Sequence, residues 1–259
     1  MPWLDHPIVW AAGACVLLQL LAWLRQRQTS NADSVDIAWT LGIIVCAVIY
    51  LFTVPSPDWN MILVFVFPVI WYSRLLLHLI DRYDVAHEDS RYQHLRAHWS
   101  QGTQAKFLAF FMFQAGLSVL FSLTAYWVLV AAELNAVKVV TAAVIGLLAL
   151  LGVTVADKQL LRFKRNHDSS EVCNVGLWRY SRHPNYFFEW LHWFVYPILL
   201  WGNPYFEWSL LVVAIMLLFL LKLTGIPYSE QRALEKRGDA YRSYMKQTSP
   251  FIPWRTNHD

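Results

Sequence analysis

Long uninterrupted runs of apolar residues are the feature that most restricts how this chain can fold. Apolar residues make up 57% of the 259 residues, and charged residues only 15%. They occur in blocks and not at the spacing of an amphipathic soluble helix, and the blocks approach or exceed the roughly 17 to 25 residues that cross a bilayer as a helix. Seven such spans are predicted: Ile8 to Leu24, Asp36 to Val54, Met61 to Ile80, Phe107 to Val130, Ala136 to Ala156, Tyr186 to Gly202 and Phe206 to Leu223.

The interior of a bilayer determines the secondary structure of these spans. Lipid tails offer no hydrogen-bond partner for the backbone, so each segment must pair its own amides, and an unpaired group costs several kcal/mol. Continuous apolar runs satisfy this condition as helices. The sequence therefore predicts an all-α integral membrane protein with a single domain over residues 1–259.

Basic residues predict how the helices are oriented. Nineteen of the 21 Lys and Arg residues follow the first, third or fifth span or lie in the tail, and Lys138 lies in a connection on the opposite side. The positive-inside rule then predicts an outward N-terminus and a cytoplasmic C-terminus. The first span is interpreted as retained, because it lacks a basic n-region and Arg25 and Arg27 follow it. The basic face is an ordinary topology signal and calls for no nucleic-acid partner.

The connection between the fifth and sixth spans, residues 157–185, carries most of the residues suited to chemistry. It contains six basic residues. A guanidinium group can donate two parallel hydrogen bonds to two oxygens of one phosphate. Arg165, Arg179 and Arg182 are therefore stronger phosphate-binding candidates than the lysines. The alternative is that the loop only neutralises anionic lipid and enforces topology.

The stretch "RYSRHPNYFFEW", residues 179–190, places polar residues at the entrance to an apolar span. Pro184 suits the first turn of a helix, so the sixth span should begin there. Asn185 and Glu189 are four residues apart and share a face, with His192 one turn further on. A carboxylate that faces lipid costs about 2.5 to 3.5 kcal/mol, so Glu189 is expected to face the bundle interior, a cavity or a partner.

Two interpretations of Glu189 are open. It could pair with an arginine and hold two helices together. It could also face a ligand, because Tyr186, Phe187 and Trp190 would wall a flat heteroaromatic group. Asn185 and Glu189 would then form hydrogen bonds with the edge of that group.

These residues resemble a known family. The stretch "GLWRYSRHPNYFFEW" resembles the signature of bacterial membrane proteins of unassigned function that are grouped with the steroid 5-alpha-reductases, and "GDAYRSYMKQTSPFIPW" resembles the end of that family. The stretches "SVDIAW", "WYSRLLLHL" and "HEDSRYQHLR" are similar to its amino-terminal half, so the resemblance covers nearly the whole chain. It implies a reductase-like bundle of seven helices in a bacterial inner membrane. We expect a monomer, with the cofactor half at approximately residues 140–259.

The resemblance also implies an activity, which is hydride transfer from NADPH to a carbon–carbon double bond of a hydrophobic enone, steroid-like or isoprenoid lipid. In that family the nicotinamide end enters the bundle from the cytoplasm. By position, Asn185 and Glu189 match nicotinamide contacts, Asp157 matches an acidic contact, and Lys164 or Arg165 matches a phosphate ligand. The complete predicted cofactor-binding set is Asp157, Lys164, Arg165, Arg179, Tyr180, Arg182, His183, Asn185, Tyr186, Glu189, Glu230, Arg232 and Tyr241.

One departure from the family concerns the substrate. The steroid 5-alpha-reductases carry a Gln-Glu pair on an early span that holds the enone oxygen, and the second predicted span has neither residue. Reduction of an enone needs an electrophile at the oxygen and a proton donor. Tyr244, Tyr92 and His78 are the candidate catalytic residues, and the sequence does not choose between them. The candidate substrate residues are Asp36, Trp39, Arg74 and Glu88.

Several of these residues have a structural alternative. Arg74, His78 and Asp81 keep a helical spacing and could form a salt-bridge stripe. Glu88 and Asp89 are interpreted more readily as a solvated loop pair than as a catalytic dyad.

Two other functions are open. The stretches "RHPNY" and "SEQRALEKRGDAYRSY" also resemble the isoprenylcysteine and phospholipid methyltransferases, which bind S-adenosylmethionine with an Arg-His-Pro motif and a downstream Glu pair. Here Glu230 is followed by Gln231 and not by a second acid. A non-catalytic lipid-binding relative is the third possibility. No metal site is expected, because His94 and His98 lack the further ligands of a known metal motif.

Overall fold

A computed structural model describes residues 6–53, 59–223 and 225–256 of the chain, with side chains described outside residues 59–67. The described residues contain helices and turns and no strand, which confirms the all-α class. A 3₁₀-helix covers Gly176–Arg179, and a π-helical turn covers Phe219–Leu223. The α-helices of this part of the chain are α1 (Pro7–Thr29), α2 (Ser34–Thr53), α3 (Trp59–Arg82), α4 (Ser90–His98), α5 (Thr103–Ala131), α6 (Ala136–Asn166), α7 (Pro184–His192), α8 (Val195–Leu199), α9 (Phe206–Leu218) and α10 (Ile226–Gln247).

Five helical segments within the described residues are long and apolar enough to cross a membrane. They are Pro7–Thr29, Ser34–Thr53, Thr103–Ala131, Ala136–Asn166 and Phe206–Gln247. In the last segment the apolar part is α9 with the π-helical turn, because α10 is rich in charged residues. The predicted first, second, fourth, fifth and seventh spans fall in these segments, although the last residue of the second span lies outside the described ones. The chain is therefore a multi-pass membrane protein.

The third predicted span, residues 61–80, forms part of α3 and is helical as expected. It is not one of the five segments above, which were identified among the described residues alone. The topology of seven spans consequently stays a prediction.

The sixth predicted span, residues 186–202, is not one regular helix. It is divided into α7 and α8, and between them Trp193 and Phe194 each donate a backbone N–H to the carbonyl three residues earlier, at 3.1 and 3.2 Å. Pro197 lacks the N–H that would otherwise bond the carbonyl of Trp193. The proline thus explains why the helix tightens at this point.

The chain forms two compact units, Met1–Leu134 and Asn135–Asp259. In the first unit α1 packs against α2 and α5, and α2 also contacts α3. Cys15 on α1 and Cys46 on α2 are buried, with their Sγ atoms 3.3 Å apart. Tyr50 on α2 meets Ser122 on α5 through their hydroxyl groups at 3.0 Å. The core of this unit therefore lies where the three long helices meet.

In the second unit α6 packs against α7 and α8, and α10 contacts the π-helical turn. Gly152 permits the close approach of α6 to α7, because an added Cβ atom would lie 2.4 Å from the ring of Phe188. α10 breaks at Gly238, where φ is 52°, a conformation that glycine adopts without a side-chain clash. These two glycines help to position the segments that carry the candidate cofactor residues.

Candidate cofactor and substrate sites

The Arg-His-Pro motif, residues 182–184, is buried between the 3₁₀-helix and α7. Arg182 is only 8% exposed, and its Nε donates to Glu230 Oε1 at 2.6 Å. Its Nη1 donates to the carbonyls of Met245 and Thr248 at 2.9 and 2.8 Å. Carbonyls at the end of a helix have no amide partner within the helix, so these bonds cap α10. Arg182 therefore connects the motif to both the beginning and the end of α10.

The segment after α10, residues 249–254, runs along the motif. The N–H of Arg182 donates to the carbonyl of Ser249 at 2.8 Å, and the N–H of Trp254 donates to the carbonyl of Tyr180 at 3.0 Å. Residues 249–254 are thus held by backbone hydrogen bonds, which need no particular side chain.

The same segment contacts two aromatic residues that were expected to wall a ligand. The ring centroid of Phe251 lies 5.8 Å from that of Phe187 and 5.7 Å from that of Trp190. The hydroxyl of Ser181 donates to the carbonyl of Phe251 at 2.7 Å and fixes its position. One side of the expected aromatic wall is therefore packed against the tail of the chain.

His183 is buried and lies against Tyr186 and Glu230. Its ring stacks on Tyr186 at 5.4 Å, and its Nε2 lies 3.3 Å from Glu230 Oε1. Burial lowers the pKa of His183, against the opposing effect of Glu230 and with a further contribution from Arg182. The hydroxyl of Tyr186 is 3.2 Å from that of Ser229 and links α7 to α10.

The lowered pKa of His183 predicts how stability depends on pH. Below the ordinary histidine pKa of about 6.5, the unfolded chain takes up a proton that the folded chain resists. Stability is then complete above this pH and is lost as the pH falls from about 6.5 toward the lower pKa of the folded state. We expect the melting temperature of detergent-solubilised protein to fall less on acidification in His183→Gln. An equal fall in both proteins would contradict the prediction.

Asn185 and Asp157, two predicted cofactor residues, are in contact. The Nδ2 of Asn185 donates to Asp157 Oδ1 at 3.4 Å and joins α7 to α6. The Oδ1 of Asn185 is buried and has no hydrogen-bond partner within the described part of the chain. Glu189 follows on α7 one turn later and is partly buried. The structure thus brings together Asn185 and Asp157, two of the predicted cofactor residues, with Glu189 one turn further along α7.

Tyr244, a predicted catalytic residue, has its hydroxyl group engaged by the backbone. It donates to the carbonyl of Trp178 and lies 3.4 Å from the carbonyl of Ser181. The residue is 5% exposed, and its ring packs against that of Tyr241 at 5.7 Å. This geometry favours a structural role in fastening α10 to the 3₁₀-helix.

The remaining predicted cofactor residues of the second unit lie at its surface. Lysine and arginine at the end of α6 are exposed, as are Arg179 and Tyr180. Exposed guanidinium groups can turn toward a phosphate without losing a buried contact. The exposed residues of the predicted cofactor set are Lys164, Arg165, Arg179, Tyr180 and Arg232, of which the three arginines carry guanidinium groups.

In the first unit, Asp36 and Tyr92 form a direct hydrogen bond although they are 56 residues apart. The hydroxyl of Tyr92 donates to Asp36 Oδ1 at 2.8 Å, and Arg91 Nη2 donates to Asp36 Oδ2 at 3.0 Å. Burial raises the pKa of Tyr92. Burial also raises the pKa of Asp33, whose Oδ1 accepts the N–H of Asp89, to about 6. A predicted catalytic residue and a predicted substrate residue thus belong to one polar cluster.

Glu88 holds the loop before α4 in place. Its carboxylate accepts two bonds from Arg96, at 2.7 and 3.2 Å, and one from the N–H of Ala32 at 2.7 Å. The side chains of Glu88 and Asp89 are 8% and 12% exposed, so the interpretation as a solvated loop pair is wrong. The N–H of Ala32, 56 residues before Glu88, is a partner that the local sequence does not indicate.

Trp39 lies among aromatic side chains of the first unit. Its ring meets those of Tyr72 and Phe121 edge to face, each at 6.1 Å. The indole Nε1 is buried and finds no hydrogen-bond acceptor among the residues that the structure describes. A buried N–H of this kind is suited to bind an oxygen of a ligand.

Arg74 and His78 lie one turn apart on α3 and are partly buried. The guanidinium group of Arg74 lies 5.3 Å from the ring centroid of Trp71, at cation–π distance. Asp81, the third residue of the expected stripe, is exposed. The choice between a structural and a substrate role for this stripe stays open.

Sequence analysis missed several residues that build these sites. The Oε1 of Gln159 accepts the N–H of Leu177 at 2.9 Å, and Trp178 Nε1 donates to the carbonyl of Ala156 at 2.9 Å. Both bonds attach the loop after α6 to α6 itself. A bond between a side chain and a distant backbone group leaves no pattern in the sequence, so no signal could have identified it.

The chain was compared with known proteins and families. Residues 22–248 match the family described as "Protein of unknown function (DUF1295)". No curated protein gives a significant match. No solved structure gives one either.

Proposed function

The chain belongs to this DUF1295 family, and from that premise we propose that it is a membrane-embedded, NADPH-dependent oxidoreductase of lipid metabolism. It transfers a hydride to a carbon–carbon double bond of a hydrophobic enone, steroid-like or isoprenoid lipid. The proposal includes a reductase-like bundle of seven spans in the bacterial inner membrane, with the N-terminus outside and the C-terminus in the cytoplasm. The active site of the monomer opens to the cytoplasm.

The contact between Asn185 and Asp157 is the observation that carries the proposal. Asn185 uses its amide nitrogen on Asp157 at 3.4 Å, while its oxygen is buried without a hydrogen bond in the described residues. An unsatisfied buried acceptor costs about 1 to 3 kcal/mol. The carboxamide N–H of a nicotinamide would satisfy this oxygen, so the residues present fit the nicotinamide end of NADPH. Glu189 would meet the same end.

Charge at the surface supports the choice of a phosphorylated cofactor. Arg165, Arg179 and Lys164 are exposed close in sequence to the ends of α6 and α7. Their positive charges favour a pyrophosphate or a 2′-phosphate, and the arginines can bind phosphate oxygens in pairs. Arg182 contributes less to this task, because its donors are used by Glu230 and by backbone carbonyls.

Reduction of an enone also requires groups of the chain that act on the substrate. NADPH supplies the hydride when it is bound. Within the first unit, the buried Nε1–H of Trp39 is suited to donate to a carbonyl oxygen of a lipid. In the same unit Tyr92 is a candidate proton donor, although its hydroxyl proton is directed at Asp36 in this structure and burial raises its pKa. His78 is the alternative proton donor.

Replacement of Glu189 by glutamine tests the cofactor site. We expect NADPH to raise the melting temperature of the detergent-solubilised protein, and we expect Glu189→Gln to weaken NADPH binding about tenfold, as loss of a charged hydrogen bond would. The matched control is Glu207→Gln, which changes an exposed glutamate at the start of α9. Unchanged NADPH binding together with lower stability would instead support a helix-pairing role.

A methyltransferase that uses S-adenosylmethionine is the second candidate, and one observation favours it. Arg182 and His183 of the Arg-His-Pro motif both contact Glu230, which follows in the tail. These are the elements that resemble the isoprenylcysteine and phospholipid methyltransferases. Stabilisation by S-adenosylmethionine and not by NADPH would favour this function. Stabilisation by neither would favour a non-catalytic lipid-binding relative.

A further inference from the structure

A cleft of about 350 Å³ opens at the surface of the second unit, beside the segment that follows α10. The residues that line it are Tyr180, Pro253, Trp254 and Arg255. Its volume is at the lower end of the range of small-molecule pockets. Tyr180 belongs to the predicted cofactor set, whereas the other three residues have no role in the function proposed so far. Two aromatic rings beside one guanidinium group give the cleft an apolar wall and a binding group for an anion.

Hydrogen bonds place the cleft near one end of the apolar part of α6, a helix long and apolar enough to cross a membrane. The exposed side chains at residues 144–155 of α6 are all apolar, and charged residues begin directly after Ala156. Trp178 Nε1 donates to the carbonyl of Ala156 at 2.9 Å, which attaches the 3₁₀-helix at this boundary. The N–H of Trp254 donates to the carbonyl of Tyr180, two residues after Trp178, at 3.0 Å. The cleft therefore lies close to the level at which α6 leaves the apolar part of a bilayer.

Two large apolar side chains of the segment after α10 are exposed at this level. Trp254 is 72% exposed, and Ile252 is 54% exposed. Phe251 of the same segment is buried against Phe187 and Trp190, which fixes the backbone and keeps the two exposed side chains outside. Tryptophan is enriched at the boundary between lipid and water, where its ring contacts apolar groups and its N–H reaches polar ones. The exposure thus fits a lipid environment better than water.

The segment that forms most of the cleft carries positive and no negative side-chain charge. Residues 240–256 contain three basic residues and no acidic one. Arg255 lines the cleft and is exposed. A guanidinium group can donate two parallel hydrogen bonds to two oxygens of one phosphate. Basic residues at a membrane surface attract anionic lipids, so the charge favours an anionic over a zwitterionic headgroup.

We propose that this cleft binds the headgroup of an anionic phospholipid, with its phosphodiester on the guanidinium group of Arg255. The glycerol part of the lipid packs on the rings of Tyr180 and Trp254, and an acyl chain continues along Ile252 into the bilayer. A soluble phosphate would meet the same cation but would gain nothing from the apolar side chains beside it. The bound lipid is neither the substrate nor the cofactor of the proposed reductase, so this proposal does not depend on that function.

Native mass spectrometry of the detergent-solubilised full-length protein, with equal amounts of phosphatidylglycerol and phosphatidylcholine, tests the proposal. We expect the unmodified protein to bind phosphatidylglycerol more tightly. Arg255→Gln should weaken phosphatidylglycerol binding about fivefold, the effect of losing one basic contact with an anionic lipid, and should weaken phosphatidylcholine binding less. Arg242→Gln is the matched control, because Arg242 is also an exposed arginine near the end of α10 but pairs with Asp239.

Tryptophan fluorescence in vesicles gives the position of the lipid. Bromine atoms on the acyl chains quench the indole rings that they contact. We expect Trp254→Phe to remove more quenched fluorescence with brominated phosphatidylglycerol than with brominated phosphatidylcholine. Trp208→Phe is the control, because Trp208 is also exposed but lies at the start of α9, and its fluorescence should be quenched equally by both lipids.

The outcomes distinguish this lipid site from a free anion site and from the cofactor site. Equal binding of the two lipids, or equal effects of Arg255→Gln and Arg242→Gln, overturns the proposal. Competition by inorganic phosphate at the concentration of the lipid would indicate a site for free anions and would overturn it as well. Loss of NADPH binding in Arg255→Gln with an unchanged lipid preference would assign the cleft to the cofactor. Loss of the lipid preference with unchanged NADPH binding supports the lipid site, and a protein that binds the lipid but never NADPH contradicts the reductase alone.

Discussion

Replacement of Arg182 by methionine is expected to lower the free energy of unfolding by about 3 to 5 kcal/mol, the cost of removing one partner of a buried ion pair. The change leaves Glu230 without its 2.6 Å partner and removes two bonds to carbonyls at the end of α10. The loss should appear without any nucleotide, because the contacts are internal to the protein. Equilibrium unfolding in detergent measures it.

Two further variants serve as controls for the Arg182→Met prediction. Arg242→Met removes an arginine whose ion pair with Asp239 is exposed, and it should change stability little. Arg182→Met combined with Glu230→Leu should be more stable than Arg182→Met alone, because no buried carboxylate is left unpaired. If Arg182→Met is as stable as Arg242→Met, the buried network does not hold α10.

The positions of the long helices were predictable because the bilayer imposes a simple rule on the sequence. Apolar blocks of sufficient length gave α1, α2, α5 and α6, and Pro184 correctly gave the first residue of α7. The rule concerns the composition of a segment and not its hydrogen bonds. It therefore did not predict the i to i−3 hydrogen bonds that interrupt the sixth predicted span before Pro197.

The candidate sites were predictable only in part, because a sequence shows which donors exist and not which are already used. Asp157 and Asn185 were expected in one site and are in contact. Arg182 was expected to bind phosphate through its planar guanidinium group. In the structure that group already donates to Glu230 and to the carbonyls of Met245 and Thr248. The bond between Tyr92 and Asp36 joins two candidates across 56 residues, a distance over which no spacing rule operates.

Replacement of Gly152 by leucine is expected to lower the free energy of unfolding by about 3 kcal/mol, the upper part of the usual range for overpacking. Even a single added carbon would lie 2.4 Å from the ring of Phe188, so α7 must move away from α6. That movement separates Asn185 from Asp157. We therefore expect weaker NADPH binding as well as lower stability, measured by unfolding and by thermal shift.

A second glycine gives the control for this prediction. Gly116 lies on α5, and an added Cβ atom there would have no neighbour within 4 Å, so Gly116→Leu should be tolerated. Phe188→Ala combined with Gly152→Leu should recover about 0.5 to 3 kcal/mol relative to the sum of the single changes, because the two side chains then no longer compete for one space. Additive effects would show that the α6–α7 contact does not depend on this pair.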